Sequence, residues 1–408
     1  MGGWYLLGEV PLRLWIESAH QSLTPAGGDV VRTLQTEEQF FAVLASAPRG
    51  GAEAQARATR IADRAADRLE RGTSPDAVVQ AVLATLPAGE HIPFSILQVL
   101  GGCRAQLVEC DAPPLFLARG GQLVLLPVLE EVFRGRLVRT CQFTLQDGDH
   151  VAMVSAGYIR ARGWSRRWGW RDIAISIRRW TDTGCDAEQL LGALIRMYRR
   201  LAGDGSARDL ADVSIVAMHV RPRRTATVWT GPPADPAQDE AALEKLMAER
   251  GSRVICGDTT AQVAARLLGA ELKLEPRPED SADMRRPLDK SHPADKSHPW
   301  AEVPPVSYLE GVDLVTEGVV TLGKAREHLA GVERVRDLPR GGDGATCLAR
   351  ALLAADRIHF IVGLAVNPAI SQATGADAAC TVPRRQDVVE ELVRDLKVRG
   401  KLVSVECL

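Results

Sequence analysis

The stretch "HVAMVSAGYIRARG", residues 150–163, joins a short apolar run to an abrupt stop. Val151, Met153 and Val154 read as a β-strand, and Ser155-Ala156-Gly157 as a tight turn of small residues. The ends of strands and the loops beyond them are where folds usually display their chemistry. Here the display position holds an alanine, which raises the question of what side chain such a strand end is built to present.

Strand patterns precede this one. "FSILQVL", "RAQLVEC", "PLFLARGGQLVLLP" (a hairpin about Gly120-Gly121) and "RTCQFTLQDGDHVAMVSAG" carry strand residues between turn signals. Further upstream "QFFAVLASAP" reads as a strand and turn. "GAEAQARATRIADRAADRLERG" is an amphipathic helix with Ile61, Ala65 and Leu69 four apart, and "SPDAVVQAVLATLP" a second helix capped by Ser74 with Pro75 in its first turn. The pattern predicts two helices followed by a meander of antiparallel strands. Downstream, "DAEQLLGALIRMYRRLAG" is a helix and "VSIVAMHV" a strand that closes the unit near Pro222.

Beyond "VWTGPPADP" the style changes. Strand "RVICG" leads into helix "TTAQVAARLLG", and "HFIVGLAV" and "KLVSVE" are strands beside helices, an α/β pattern. The Pro-, Ser- and charge-rich segment from about residue 275 to 304 interrupts it and reads as a flexible insertion. Its repeated "DKSHP" offers His292 and His298 as metal ligands, against the simpler reading of a solvated loop.

Length supports two domains, since 408 residues exceed the roughly 100–200 of an ordinary one. A net charge of -2 excludes a global attraction to nucleic acid or acidic membranes, so any electrostatic function is local. No apolar run approaches the roughly 20 residues of a membrane span and the start lacks a basic leader, so a cytoplasmic location is expected. The eight cysteines form no C-x-x-C pair and read as reduced, packed thiols.

The order of elements, with the words "TGPP", "VICGDTTAQ", "YLEGVDLVTEGVVTL" and "VNPA", resembles the bacterial PPM-type serine/threonine phosphatases of the sporulation stage II protein E kind. The match is to a two-domain branch with an extra C-terminal α/β domain, and it covers nearly the whole chain. The resemblance implies an α+β fold: a four-layer αββα sandwich over residues 1–222, followed by a smaller α/β domain over 225–408. It also implies two divalent cations between the sheets that activate a water against phosphoserine or phosphothreonine. Hard cations such as Mg²⁺ or Mn²⁺ need oxygen ligands, supplied by aspartates at strand ends.

Matched residue by residue, those positions are depleted. "GGDVV" supplies Asp29. "ASAPRGG" puts Ser46 where an Asp-Gly-x-Gly-x-Gly turn opens, "VSAGYI" puts Ala156 in a Ser-Asp-Gly, and "LADVSIVAMHV" puts Ala211 at the last carboxylate with Asp212 beside it. Hydroxyls and methyls do not offset the dehydration of Mg²⁺. The expectation is a phosphatase-like regulatory protein in signalling that has lost catalysis and takes no metal cofactor. The alternative is an active phosphatase with an altered Mn²⁺ or Mg²⁺ site centred on Asp29 and Asp212, or one in which Asp147, Asp149 or Glu17 serve, although the first two sit in a hairpin turn.

Where carboxylates are missing, arginines stand. Arg49, Arg160 and Arg162 are anion-binding candidates suited to a phosphorylated protein partner, the simpler reading being a solvated surface. The segment from Arg160 to Trp180 holds seven arginines and four tryptophans, a mixture that can bind single-stranded nucleic acid. A packed aromatic start to a helix is favoured instead. In the second domain Gly257, Asp258, Thr259 and Thr260 form a candidate anion loop at a helix start, without the glycines and lysine of a P-loop. Glu310, Asp313 and Glu317 are a candidate polar site, caps being the simpler reading. A third possibility makes the C-terminal domain the active part, binding a small anionic ligand.

Overall fold

The computed structural model describes residues 14–23, 27–47, 51–86, 91–160, 169–202, 212–248, 250–274, 306–339, 342–365 and 384–408. The chain divides into two compact units, Met1–Pro222 and Arg223–Leu408. The 275–304 segment with His292 and His298 lies outside the described residues.

The first unit is built on two antiparallel sheets. One has the order β2 (Val30–Gln35), β3 (Gln39–Ala45), β4 (Phe94–Leu100), β5 (Arg104–Cys110), β9 (Arg136–Thr144), β8 (Leu129–Phe133). The other runs β1 (Leu14–Ser22), β11 (Ser214–Pro222), β10 (His150–Val154), β6 (Phe116–Arg119), β7 (Gln122–Val124). Central strands read as continuous apolar runs because both their faces are covered. In β3, Phe41, Val43 and Ala45 face α1 (Ala52–Glu70) and α2 (Pro75–Thr85), whereas Phe40, Ala42 and Leu44 enter the core between the sheets. In β10, Val151 and Met153 enter that same core, while Ala152 and Val154 pack under α4 (Trp170–Thr181) and α5 (Ala187–Ala202). The layers are therefore helix, sheet, sheet, helix, as expected.

Two details differ from the sequence reading. The strands from β4 to β10 are not one meander. The chain crosses between sheets at Asp111–Leu115, returns for the β8–β9 hairpin, and crosses again at the turn before β10. Strand propensity is local, but which sheet a strand joins depends on which core its alternate residues fill. Also, Ser155-Ala156-Gly157 is not a simple turn: Ala156–Ile159 forms a short helix, α3, with Ser155 preceding it.

The second unit has seven strands in the order β14 (Lys273–Leu274), β15 (Val306–Leu309), β16 (Val312–Thr316), β13 (Ser252–Cys256), β12 (Thr225–Thr230), β17 (Arg357–Val362), β18 (Leu402–Cys407). From β16 to β18 all neighbours are parallel. Helices α6 (Asp239–Ala248) and α7 (Asp258–Leu268) cover one face. Helices α8 (Val319–Leu329), α9 (Gly344–Ala354) and α10 (Arg385–Val398) cover the other. Among the described residues no helix is long and apolar enough to cross a membrane.

Candidate functional site

The ladder between β2 and β3 ends at Val30 opposite Ala45, so the next residues, Asp29 and Ser46, meet beyond it. The Ser46 hydroxyl donates to Asp29 Oδ1 at 2.5 Å. In the other sheet, β10 pairs with β11 up to Val154 and Ile215, and the chain then leaves at Ser155. Asp212, just before β11, accepts from the Gly28 amide at 2.7 Å through Oδ2. Thus residues 184 positions apart converge between the two sheets, and Asp29 and Asp212 are both buried. Gly28 is required by this approach: a Cβ there would lie 2.7 Å from the Ala47 carbonyl oxygen and 3.3 Å from Asp212 Oδ2.

Serine hydroxyls complete the lining. Ser155 Oγ donates to the Asp212 carbonyl at 3.2 Å and accepts from the Ser214 amide at 3.0 Å, and Ser214 Oγ shares a 2.6 Å hydrogen bond with Ser22 Oγ. The Ser155 side chain makes no cap bond to α3; it faces across the strands instead. Burial raises the Asp29 carboxyl above the usual carboxylate range and the charge of Asp212 adds to that, while the hydroxyls of Ser46, Ser155 and Ser214 oppose it. Asp29 Oδ2 is nevertheless buried without a hydrogen-bond partner.

The structure brings Asp29, Ser46 and Asp212 into one place, together with Gly28, Ser155 and Ser214, which the sequence pattern did not single out. Ser155 and Ser214 carry the signal of small polar residues at two strand ends. Ala156 opens α3 half-buried, one residue beyond the Ser155 hydroxyl. Ala211, Arg49 and Arg162 lie outside the described residues; Arg160 follows α3 and is exposed.

The other acids are engaged elsewhere. Asp149, fully buried, takes two 2.7 Å bonds from Arg119, and Glu17 pairs with Arg221 at 2.8 Å. Asp147 is exposed in its turn. Trp170 stacks on Phe116 with ring centres 5.1 Å apart and its Nε1 donates to the Pro114 carbonyl, which makes it part of the packing. In the second unit Glu310 turns the β15–β16 hairpin and Glu317 follows the far end of β16, while Asp313 accepts from the Arg253 amide. These three acids do not converge. Asp258 and Thr259 are exposed at the start of α7, Gly257 precedes them at φ 131°, and Thr260 is buried with its hydroxyl unpaired. The seven described cysteines are free.

Two divalent cations do not fit this pocket. Among the described residues no three of His, Cys, Asp and Glu come together as metal ligands. Both carboxylates already accept protein hydrogen bonds, and the remaining oxygens are neutral hydroxyls, poor substitutes for the anionic ligands hard cations need.

No protein-family model and no curated protein matches this chain. Solved structures are similar to it at low overlap. The PP2C phosphatase domain of the cell fate determinant SpoIIE from Bacillus subtilis is 14% identical over 52% of this chain and 65% of that chain, with a TM-score of 0.40. The RsbU and RsbW domains of Rv1364c from Mycobacterium tuberculosis are 16% identical over 64% and 73%, with a TM-score of 0.44. The serine/threonine phosphatase PstP/Ppp of Mycobacterium tuberculosis is 13% identical over 51% and 99%, with a TM-score of 0.33.

Proposed function

We propose that the first unit is a regulatory, phosphatase-like binding domain that does not hydrolyse phosphate esters through a two-metal centre. One observation carries this reading: the carboxylates at the strand ends are tied into the protein, Asp29 by the Ser46 hydroxyl and Asp212 by the Gly28 amide. A two-metal clamp needs several anionic oxygens held open toward the cations. Two engaged carboxylates with Ser46 and Ala156 at the neighbouring positions do not supply them. The unpaired Asp29 Oδ2 favours one competing reading, an active enzyme holding a cation at an altered site. Manganese titration with hydrolysis of p-nitrophenyl phosphate separates the two. About two Mn²⁺ bound per chain together with turnover would overturn our reading. The Ser46→Asp/Ala156→Asp/Ala211→Asp variant is expected to gain cation binding that the wild type lacks.

The partner we propose is a phosphorylated protein. The support lies in the sequence, where Arg49 follows Ser46 by three positions and Arg160 and Arg162 follow Ala156 by four and six, since a guanidinium holds a phosphate through two parallel hydrogen bonds without a metal. Titration of a phosphoserine peptide should show salt-sensitive binding that the Arg49→Ala/Arg160→Ala/Arg162→Ala variant loses. Equal binding by that variant would exclude these arginines.

A further inference from the structure

In the second unit α6, which follows β12, covers one face of the sheet, and α10, the helix before β18, covers the other. Trp229 and Ile361 accordingly pack with α6 and α7, and Val228 and Phe360 with α8 to α10. Adjacent parallel strands whose crossover helices lie on opposite faces define a switch point, and open α/β sheets bind ligands outside the carboxyl ends of such strands; here the first residues beyond the strands bridge that edge, the Ala365 amide donating to the Pro232 carbonyl and the Ala234 amide to the Leu408 carbonyl. At this place stands the word Thr230-Gly231-Pro232-Pro233.

Arg385, the first residue of α10, reaches into it. Its Nη1 donates to the Gly363 carbonyl at 2.7 Å, and its guanidinium lies where a Cβ on Gly231 would collide with it. Gly231 is left-handed at φ 78°, and Gly363 has no room for a Cβ against the carbonyls of Gly231 and Pro232. Among the described residues no carboxylate pairs with Arg385, and its Nε is buried without a partner. Burial holds this guanidinium below its ordinary range. Thr230 is wholly buried and, by strand alternation, shares the face of Val228 and α10; its hydroxyl has no partner either. Helix α8 also begins at this edge, with the wholly buried, unpaired hydroxyl of Thr321 in its first turn. A partly desolvated cation and hydroxyls that the protein leaves unpaired are costly, and an anionic ligand would offset that cost.

We propose that this switch point binds a phosphate-bearing small molecule, with Arg385 and Thr230 holding its phosphate. The planar fork of Arg385 has donors to spare, and the positive ends of α8 and α10 favour an anion on the same face. The site is independent of the pocket around Asp29.

The test is calorimetric titration of the full-length protein with inorganic phosphate and with AMP, with acetate as a carboxylate control. Saturable binding of a phosphate probe is expected, weakened on the order of tenfold or more by Arg385→Gln. Thr230→Val should weaken it several-fold, and it provides a second route should the arginine variant fold poorly. In anion-free buffer Arg385→Gln should unfold at the same temperature as wild type or higher, because it removes an unpaired charge. A lower temperature would make Arg385 a structural tie and end the proposal. So would absence of binding by the wild type, equal binding of acetate, or binding untouched by both variants. Phosphate binding lost in Arg160→Ala but kept in Arg385→Gln would overturn this site while leaving the reading of the first unit intact.

Discussion

The strand ends of the first unit and the carboxyl edge of the second differ in how many of their buried polar atoms are paired. Around Asp29 most groups satisfy one another: Ser46 to Asp29 Oδ1, Gly28 to Asp212, Ser155 between Asp212 and Ser214, and Ser214 with Ser22, while Asp29 Oδ2 is left without a partner. At the second edge the hydroxyls of Thr230, Thr260 and Thr321 and the Nε of Arg385 have no partner. A largely satisfied network rigidifies a core and leaves less for a ligand to gain, whereas unpaired buried donors gain from any ligand that accepts their hydrogens. On the reading proposed above, the pocket around Asp29 is the more structural of the two regions.

The largest expected effect tests how tightly the first region is closed. Gly28→Ala drives a methyl against the Ala47 carbonyl oxygen, a backbone atom that cannot swing away, and should cost about 3 kcal/mol in urea unfolding. A cost near zero would mean the pocket is loose enough to admit ions.

Next comes a pH effect from Glu109, which is buried and pushed up to about 7, chiefly by burial. Arg139 at 3.0 Å and the Leu115 amide at 2.6 Å oppose that shift by favouring the anion, without cancelling it. A carboxyl raised on folding stabilises below its ordinary value of 4.5, and that contribution is lost as pH rises through about 7. Relative to Glu109→Gln, the wild type should therefore lose on the order of 2 kcal/mol between those pH values. Urea midpoints measured across the range check this, and a constant difference would place the ionised pair in the folded state throughout.

A smaller effect has the opposite sign. Thr230→Val and Thr321→Val each remove a buried hydroxyl that bonds to nothing, and each should raise the stability of the ligand-free second unit by about 1 kcal/mol. In the first unit Ser155→Ala, by contrast, should destabilise, since it strips a partner from Asp212 and Ser214. If both kinds of change lower stability alike, the contrast between the regions fails. The smallest effect concerns Trp170→Phe, which keeps the stack on Phe116 and loses one hydrogen bond to Pro114, for about 0.5–1 kcal/mol in thermal unfolding.

Most of the first unit was legible from its pattern. Strands such as β3 and β4, covered on both faces, are apolar at nearly every position, and the Ala-rich periodicity of α1 marks its buried stripe. Strands β1 and β8 escaped that reading. β1 carries Glu17, His20 and Gln21, and β8 is an edge whose Leu129 and Val132 are exposed beside Glu130 and Glu131, so neither shows a clean alternation.

The sequence by itself determined what stands at two strand ends: a serine at 46 and an alanine at 156 have no carboxylate in any fold. It also determined the words around Gly231 and Gly257, but not their meaning. Tertiary structure decided that Asp212, 184 residues away, serves the Gly28 amide, and that Arg385 reaches the Gly363 carbonyl with no carboxylate paired to it among the described residues. The physical reason is that hydrogen bonds and desolvation act through space. A residue type states what a group can donate or accept, while only the packed fold determines whether water, a neighbour or nothing answers it.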